Sequence, residues 1–251
     1  MEELTKKNFN KYVKYLVSYI KRDGINEFIN WLITTDAAIA PASTRYHMSI
    51  EGGLIQHSLN VFYRLIKIIN MEYPNQEDCP YSKETLALVA LCHDVAKFNF
   101  YEVQMRNVKN SETGAWEKVP YYTTRDENNR LIFASHEENS LYILQHFFKL
   151  SYDESMAIRW HGGAFSSSDY RNSGETMNAF RHCKLAVYLH MADTMASCID
   201  EAANVENVNY FNEKLEDDVE ENVDDKSADD ENVDKESTNE SESSRSDKET
   251  E

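Results

Sequence analysis

The sequence predicts an all-α fold followed by an acidic tail. Only 7 glycines and 4 prolines occur in 251 residues, so few positions interrupt a helix. Apolar residues recur three and four positions apart in several segments before residue 204, which is the period of an α-helix with one buried face. Beyond Asn212 apolar residues nearly disappear, so the rest of the chain cannot bury enough surface to offset its conformational entropy.

Helices are predicted for most of the chain before the first aromatic-rich segment. The first helix is amphipathic, with an apolar series that starts at Phe9. Residues 36–53 contain the pair Gly52-Gly53 and are predicted to be irregular. Ser82 can cap a following helix, because its hydroxyl can accept a hydrogen bond from a free backbone N–H. The predicted helices span residues 5–21, a shorter segment from Phe28 to Ile33, residues 54 to about 71, and the segment after Ser82 that carries Leu86 and His93.

Residues 98–134 differ in character from the helical segments. Turn-forming residues alternate there with aromatic ones, which predicts short β segments in a small β-hairpin-like insertion. Helices resume near Ser135, and Ser151 with Glu154 forms the capping-box pattern of a helix that ends at His161. Residues 162–175 are rich in glycine and serine and are predicted to be irregular. A last helix is predicted from about Met177 to Ala203, with Ala186, Leu189, His190, Asp193 and Ala196 on its inner face.

The negative charge of the chain is concentrated in the tail. The formal net charge at pH 7 is −18, and residues 201–251 hold 20 acidic and 5 basic side chains. Residues 1–200 hold 24 acidic and 21 basic side chains, so this part is nearly neutral. We therefore predict a helical domain over residues 1–203 and a largely disordered acidic tail over residues 204–251. A strongly basic surface for duplex nucleic acid is not expected.

The sequence predicts a cytoplasmic protein with no membrane segment. No apolar run approaches the ~20 residues of a membrane helix, and the first residues lack the apolar core of a secretory signal. The cysteines show no CxxC pairing, so we expect reduced thiols rather than disulfides or a zinc site at Cys79, Cys92, Cys183 and Cys198.

Polar residues occur on the inward faces of three predicted helices. His57, His93 and Asp193 each fall on such a face, where an unpaired polar group costs roughly 2–7 kcal/mol. Asp94 follows His93 directly, about 100° further round a helix, and can reach the same interior point. A divalent cation offsets this cost, because neutral imidazoles and carboxylates bind it and its charge balances theirs. The alternative is a buried hydrogen-bond network without a metal.

Three of these segments resemble the motifs of the HD-domain metal-dependent phosphohydrolases. EGGLIQH ends at His57, LCHDVAK contains His93 and Asp94, and HMADTMAS contains Asp193. Two further segments, SHEENS and IRWHGG, resemble the extra histidine motifs of two-metal members. The resemblance covers about residues 41–200 and is nearest to small HD hydrolases of Gram-positive bacteria and their phages. It implies a helical bundle with a metal site in its core.

The resemblance also implies a ligand set for one or two divalent transition-metal ions: Mn, Fe, Co, Ni or Zn. The first ion would be bound by His57, His93, Asp94 and Asp193. His136 and His161 would complete a second site, with Asp94 bridging the two ions. The alternative is a single ion, with both extra histidines on the substrate phosphate. Departures from the family pattern are an alanine at Ala96 where glycine is common, a single His161 where several nuclease and cyclic-dinucleotide members carry two histidines, and the lack of the GYP motif of the cyclic di-GMP subclass.

Asp94 and Lys97 are the predicted catalytic residues. A metal-activated water would attack phosphorus, while cations stabilise the charge on the phosphate oxygens. Lys97 lies one turn beyond His93 and can meet a phosphate, or it can be a solvated lysine at the end of the helix. Arg45, His47 and Arg159 are weaker substrate-contact candidates that can instead have only local roles. His190 is expected behind the ligands or in the core.

The aromatic insertion is expected near the entrance of the site, because it lies between two metal motifs. Trp116, Tyr121 and Tyr122 can stack on a nucleobase, or they can pack on the bundle.

The sequence thus predicts a phosphohydrolase that cleaves a phosphoester or phosphoanhydride bond of a small-molecule nucleotide. One alternative is a single-strand 3′-to-5′ exonuclease, for which one basic face is expected. Another is a non-catalytic metal-binding regulatory module. No membrane partner is expected, and the sequence leaves the oligomeric state open. The residues that would form the basic face are Lys97, Arg45, Arg106, Lys109 and Lys118.

Overall fold

The computed structural model describes residues 2–131, 135–163 and 173–202. Within these ranges the chain forms α-helices and one two-stranded antiparallel sheet, so the predicted all-α class with a small hairpin is confirmed. None of the described helices is both long and apolar enough to cross a membrane. The helices are α1 (Glu2–Tyr19), α2 (Ile25–Leu32), α3 (Gly53–Glu72), α4 (Lys83–Cys92), α5 (His136–Leu144), α6 (Tyr152–Trp160), α7 (Ser173–His182) and α8 (Lys184–Met195), and the strands are β1 (Tyr101–Lys109) and β2 (Trp116–Thr124).

Helices α3 and α4 form the centre of the bundle. Helix α3 packs against α1, α4 and α8, and most of its side chains are buried. Every residue of α4 from Leu86 to Cys92 is buried, which is why this segment is apolar on all sides. Helices α5 and α6 pack against each other, and α6 also contacts α4 and α8. Helix α3 therefore holds His57 in the interior, and the end of α4 holds His93 there.

The predicted helix starts are confirmed by their caps. The Ser82 hydroxyl accepts a hydrogen bond from the backbone N–H of Thr85. Ser135 and Ser151 each form a capping box, in which the serine and a glutamate three residues later satisfy each other's backbone N–H groups. These caps fix the first residue of α5 and of α6.

Two predicted boundaries are wrong. Helix α4 ends at Cys92; His93 keeps helical angles, but Asp94, at φ −112° and ψ 18°, has left the helix. The single helix predicted from Met177 to Ala203 is two helices, because Cys183 is extended at φ −135° and ψ 100° between α7 and α8. The buried Cys183 thiol lies 3.7 Å from the carbonyl oxygen of Asp153, so tertiary packing rather than a glycine or proline marks this break.

The insertion is a hairpin with an anchored base. Strands β1 and β2 pair from Tyr101 opposite Thr124 to Lys109 opposite Trp116. Arg125 fixes the base: its guanidinium donates to the Tyr101 carbonyl oxygen at 2.9 Å and to the Asp36 carboxylate at 3.0 Å. The hairpin therefore starts from a defined position on the bundle.

Other predictions lie outside the described residues. They are the tail over residues 204–251 and residues 164–172 of the irregular stretch. The division of the chain at residue 203 stays a prediction.

Candidate metal centre

The six predicted metal ligands lie near the ends or on the inner faces of five different segments. Helix α3 supplies His57, and its start is reached through Gly52 at φ +74° and Gly53, whose added Cβ would lie 2.1 Å from the Met48 carbonyl oxygen. The segment after α4 supplies His93 and Asp94. His136 is the first residue of α5, His161 follows α6, and Asp193 lies in α8.

The first cluster surrounds the Nε2 atom of His57. This nitrogen lies 3.2 Å from an Asp193 oxygen, 3.4 Å from His93 Nε2 and 3.8 Å from Asp94 Oδ2. His93 Nε2 lies 3.3 Å from the same Asp94 oxygen. The structure therefore brings together the two imidazoles and two carboxylates predicted for the first ion.

The second cluster surrounds the other oxygen of Asp94. Asp94 Oδ1 lies 3.5 Å from His136 Nε2 and 3.6 Å from His161 Nε2. This oxygen is buried and has no hydrogen-bond partner among the described residues. A buried carboxylate oxygen without a donor is costly, and a cation between it and the two imidazoles would satisfy it.

The backbone orients two of the imidazole rings. The Nδ1 atom of His93 lies 2.8 Å from the Ala90 carbonyl oxygen, and the Nδ1 atom of His161 lies 2.8 Å from the Ile158 carbonyl oxygen. When Nδ1 donates to a carbonyl, a neutral ring carries its lone pair on Nε2. Both rings thus present to the cluster the nitrogen that binds metals.

Glu201 holds the third ring and was not predicted from the sequence. Its carboxylate oxygens lie 3.0 and 3.2 Å from His57 Nδ1, and one of them accepts a hydrogen bond from the Asn60 amide at 3.0 Å. The side chain is buried beside the π turn Ala196–Asp200 that follows α8. The only sequence feature that could have indicated this role is the position of Glu201 shortly after the closing aspartate motif. It was missed because the acidic tail begins at the same place.

Glu137 is a second buried carboxylate that the sequence did not identify. It is 0% exposed, and neither of its oxygens has a hydrogen-bond partner among the described residues. One oxygen lies 3.3 Å from His136 Nδ1. Glu137 therefore adds negative charge behind the ring of a predicted ligand.

The charges of the cluster shift several pKa values. Burial lowers the pKa of His57, but the carboxylates of Glu201 and Asp193 outweigh burial and raise it to about 10. Burial and the Lys97 charge lower the pKa of His136 to about 4, and burial lowers the pKa of His93. His93 and His136 are thus neutral, as metal ligands must be, whereas a metal at His57 would replace a proton.

Lys97 and His47 lie at the edge of the cluster. The Lys97 ammonium lies 2.7 Å from Asp94 Oδ2, so it is not a solvated lysine at the end of the helix. The His47 ring lies 4.8 Å from the His57 ring, centre to centre, and its buried Nε2 has no hydrogen-bond partner among the described residues. Burial and the charge of His57 lower the pKa of His47 to about 4.

The two predicted arginines are engaged elsewhere. The Arg45 guanidinium lies 5.0 Å from the centre of the Tyr46 ring and donates to the Tyr46 hydroxyl. Arg159 pairs with Glu138 at 2.7 Å and lies over the Trp160 ring. Among the described residues, neither arginine contacts a side chain of the metal cluster, so their substrate roles stay predictions.

His190 supports the cluster from behind, as expected. Its Nδ1 lies 2.7 Å from the His161 carbonyl oxygen. Gly163, at φ +60°, packs so closely on this ring that an added Cβ would lie 2.5 Å from it. The turn after α6 therefore needs a glycine to keep His190 against the backbone of His161.

The centre is open to solvent on one side. The Asp193 side chain is 21% exposed and the His136 side chain is 37% exposed. Tyr101, at the base of the hairpin, lies close enough to Lys97 and Asp94 for their charges to affect its pKa, which burial raises. The base of the insertion thus follows Lys97 directly, and its place at the entrance of the site stays a prediction.

The donor atoms fit divalent metal ions. Three groups each bring three possible ligand atoms within 4.8 Å of one another. Mixed nitrogen and oxygen donors suit the divalent ions from manganese to zinc. Two of the groups share Asp94, and the third contains Glu201. The groups are His57, His93 and Asp94; Asp94, His136 and His161; and His47, His57 and Glu201.

Comparison with known proteins gives one match. A family model described as HD domain matches residues 54–202, which is more than half of the chain and contains every residue of the two clusters around Asp94. A search of curated proteins and a search of solved structures returned no significant match.

Proposed function

The chain belongs to the HD-domain family, and on that premise we propose that it is a metal-dependent phosphohydrolase acting on a phosphoester or phosphoanhydride bond of a nucleotide. HD domains are generally metal-dependent hydrolases. The observation that carries the proposal is Asp94, whose two oxygens face two different groups of imidazoles. The motif order further suggests kinship with small HD hydrolases of Gram-positive bacteria and their phages, and a cytoplasmic location suits the free cysteines.

We assign the metal ligands from this arrangement. His57, His93, Asp94 and Asp193 would hold one ion, and His136 and His161 would hold a second together with Asp94. When bound, such ions polarise phosphate oxygens and lower the pKa of water. The remaining chemistry belongs to side chains of the chain itself.

Lys97 would position the substrate. Its ammonium, raised in pKa by Asp94 against the effect of burial, stays charged at neutral pH. It lies beside the ligand carboxylate and is 13% exposed, so a phosphate at the open side of the centre can reach it. Preorganised positive charge of this kind stabilises the oxygens of a transferring phosphoryl group.

A non-catalytic regulatory module has less support. Such a module needs a bound metal ion, but it needs neither solvent-exposed ligands nor a lysine beside the metal site. The exposure of Asp193 and His136 and the position of Lys97 favour turnover over simple metal storage.

The test is hydrolysis in Mn²⁺, with products identified by mass spectrometry. Wild type is compared with Asp94→Ala on nucleoside mono- and triphosphates, dinucleoside polyphosphates, cyclic nucleotides and a single-stranded oligonucleotide. We expect Asp94→Ala to lose turnover and bound metal with little change in helical content, because Asp94 contacts both groups of imidazoles.

Asp23→Ala is the matched control, because Asp23 is an exposed aspartate between α1 and α2. It should keep both metal and turnover. Equal turnover by wild type and Asp94→Ala on every substrate would remove the proposal. The released phosphate, pyrophosphate or nucleotide would name the bond.

A further inference from the structure

The two faces of the hairpin differ in charge. In a β-strand successive side chains point to opposite faces, so the register of β1 and β2 divides the hairpin residues into two sets. One set, here called the platform face, contains aromatic and basic residues and no acidic one. Its members are Tyr101, Val103, Met105, Asn107 and Lys109 of β1 and Trp116, Lys118, Pro120, Tyr122 and Thr124 of β2.

The opposite face carries mixed charge. It includes Glu102, Arg106, Glu117 and Tyr121. The platform face holds two lysines and no carboxylate among its ten residues, so its formal charge is positive. This sorting also shows that Arg106 does not share a face with Lys109 and Lys118, so the five cations that would favour the exonuclease alternative do not all lie on one face.

The platform face is largely unpacked. Trp116 is 71% exposed, Val103 58% and Met105 56%. Among the described residues, neither Lys109 nor Lys118 has an ion-pair partner. Aromatic rings next to unpaired lysines are the elements with which proteins bind single-stranded nucleic acid.

This face is continuous with the candidate metal centre. Its first residue is Tyr101, which follows Lys97 by four residues, and the backbone N–H of the intervening Phe100 donates to the Lys97 carbonyl oxygen at 3.3 Å. The platform face therefore begins four residues beyond Lys97, whose ammonium contacts Asp94 at 2.7 Å.

The length of the face sets the size of the ligand. Strand β1 runs for nine residues, so Tyr101 and Lys109 lie about 27 Å apart at 3.4 Å per residue. A mononucleotide at the metal centre would not reach Lys109, Lys118 or Trp116. Only a chain of several nucleotides can contact both ends.

We propose that the platform face binds a single-stranded nucleic acid and leads its end to the metal centre. The inference rests on the proposed phosphohydrolase function and names its substrate class as a strand rather than a free mononucleotide. Bases stack on Trp116 and Tyr122, while Lys109 and Lys118 contact phosphates. Sequence preference is weak, because stacking and phosphate contacts read no base edges.

The test is fluorescence anisotropy of a labelled oligothymidylate of about 12 nucleotides, within the site sizes typical of single-strand binders. Binding is measured on the full chain in EDTA, which stops metal-dependent cleavage. Trp116→Ala should weaken binding at least fivefold, whereas Tyr121→Ala, an aromatic residue of the opposite face, should change it less than twofold. Thymidine monophosphate at equal nucleotide concentration should compete weakly.

A salt titration tests the lysines separately. Each lost phosphate contact lowers the slope of log K against log salt by roughly 0.7 for a single strand. Lys118→Ala should show this change, and Arg106→Ala, the matched control on the opposite face, should not. Equal effects on both faces, or displacement by polyglutamate as effective as by oligonucleotide, would overturn the proposal.

Turnover of bis(p-nitrophenyl) phosphate separates the two proposals. In one outcome, wild type cleaves this small diester, Asp94→Ala does not, and the platform variants bind the oligonucleotide as wild type does. This outcome refutes nucleic-acid binding by the platform face and supports the proposed hydrolase activity. If platform variants lose the strand but Asp94→Ala cleaves as wild type does, the metal centre is misassigned and the platform stands.

Discussion

Glu201→Gln should weaken metal binding without unfolding the protein. The buried Glu201 carboxylate contacts His57 Nδ1 at 3.0 and 3.2 Å and is the main contact that fixes this ring. Glutamine has the same size and keeps one oxygen, but it lacks the charge that makes the imidazole a stronger donor toward a cation. The substitution therefore acts on the ligand and not on packing.

The expected loss in metal affinity is ten- to one-hundred-fold, the range for removal of a partner that orients a metal-bound histidine. The metal-free protein gives an independent readout. Burial lowers the pKa of His57, and Glu201 is the largest factor that raises it to about 10. In Glu201→Gln the pKa of His57, measured by NMR, should therefore fall.

Metal affinity is measured by competition with a chelator of known affinity, and stability by thermal unfolding. Asp200→Asn is the control, since this neighbour of Glu201 pairs with Arg64, whereas the His57 ring is held by Glu201. It should lower the unfolding temperature but keep the metal affinity. Wild-type affinity in Glu201→Gln, or an equal loss in Asp200→Asn, would refute the assigned role.

Three further variants test the structure. Glu154→Gln should cost about 2–3 kcal/mol in urea unfolding at pH 7, because Arg22 loses two charged hydrogen bonds. Burial raises the pKa of Glu154, but the hydrogen bonds from Arg22 outweigh burial and lower this pKa. The stabilisation by the Glu154 carboxylate is therefore fully present above the pKa of glutamate in the unfolded chain, about 4.3, and is lost as the pH falls through the lower pKa of the folded state. Gly163→Ala should destabilise by at least about 1 kcal/mol and weaken metal binding, because the new Cβ meets the His190 ring. Truncation after Asn212 should leave turnover nearly unchanged.

Each of these predictions has a clear contrary result. A stability difference between wild type and Glu154→Gln that does not shrink in acid would assign the effect to packing. Wild-type metal affinity in Gly163→Ala would show that His190 does not hold the backbone of His161. A collapse of activity on truncation would give the tail a direct role.

The order and spacing of the motifs predicted which side chains cluster in the interior. His57, His93 and Asp193 are polar residues on apolar faces, and such residues must meet a partner in the interior. The structure brings them to within 4 Å of each other or of Asp94. Helix starts were predictable too, because the Ser135 and Ser151 caps are local interactions within four residues.

The remaining features depend on contacts distant in sequence. The break at Cys183 reflects packing against α6, for which the local sequence carries no glycine or proline. Glu201 lies 144 residues from His57, and its pairing depends on how the turn after α8 folds back. Glu137 was hidden for another reason, since glutamate in the first turn of a helix is common and is usually solvated.

The direction of the helices around the centre has a consequence for the order of binding. Helices α4 and α6 both end at it, so the negative poles of two peptide dipoles, each equivalent to about half a charge, point at the open space between the rings. Among the described helices, α5 presents a positive pole at His136, and α3 begins four residues before His57. These poles and the carboxylates oppose the approach of a phosphate, whereas Lys97 beside Asp94 attracts it. A bound divalent cation would add to the Lys97 charge, so we expect the metal to bind before the anionic substrate.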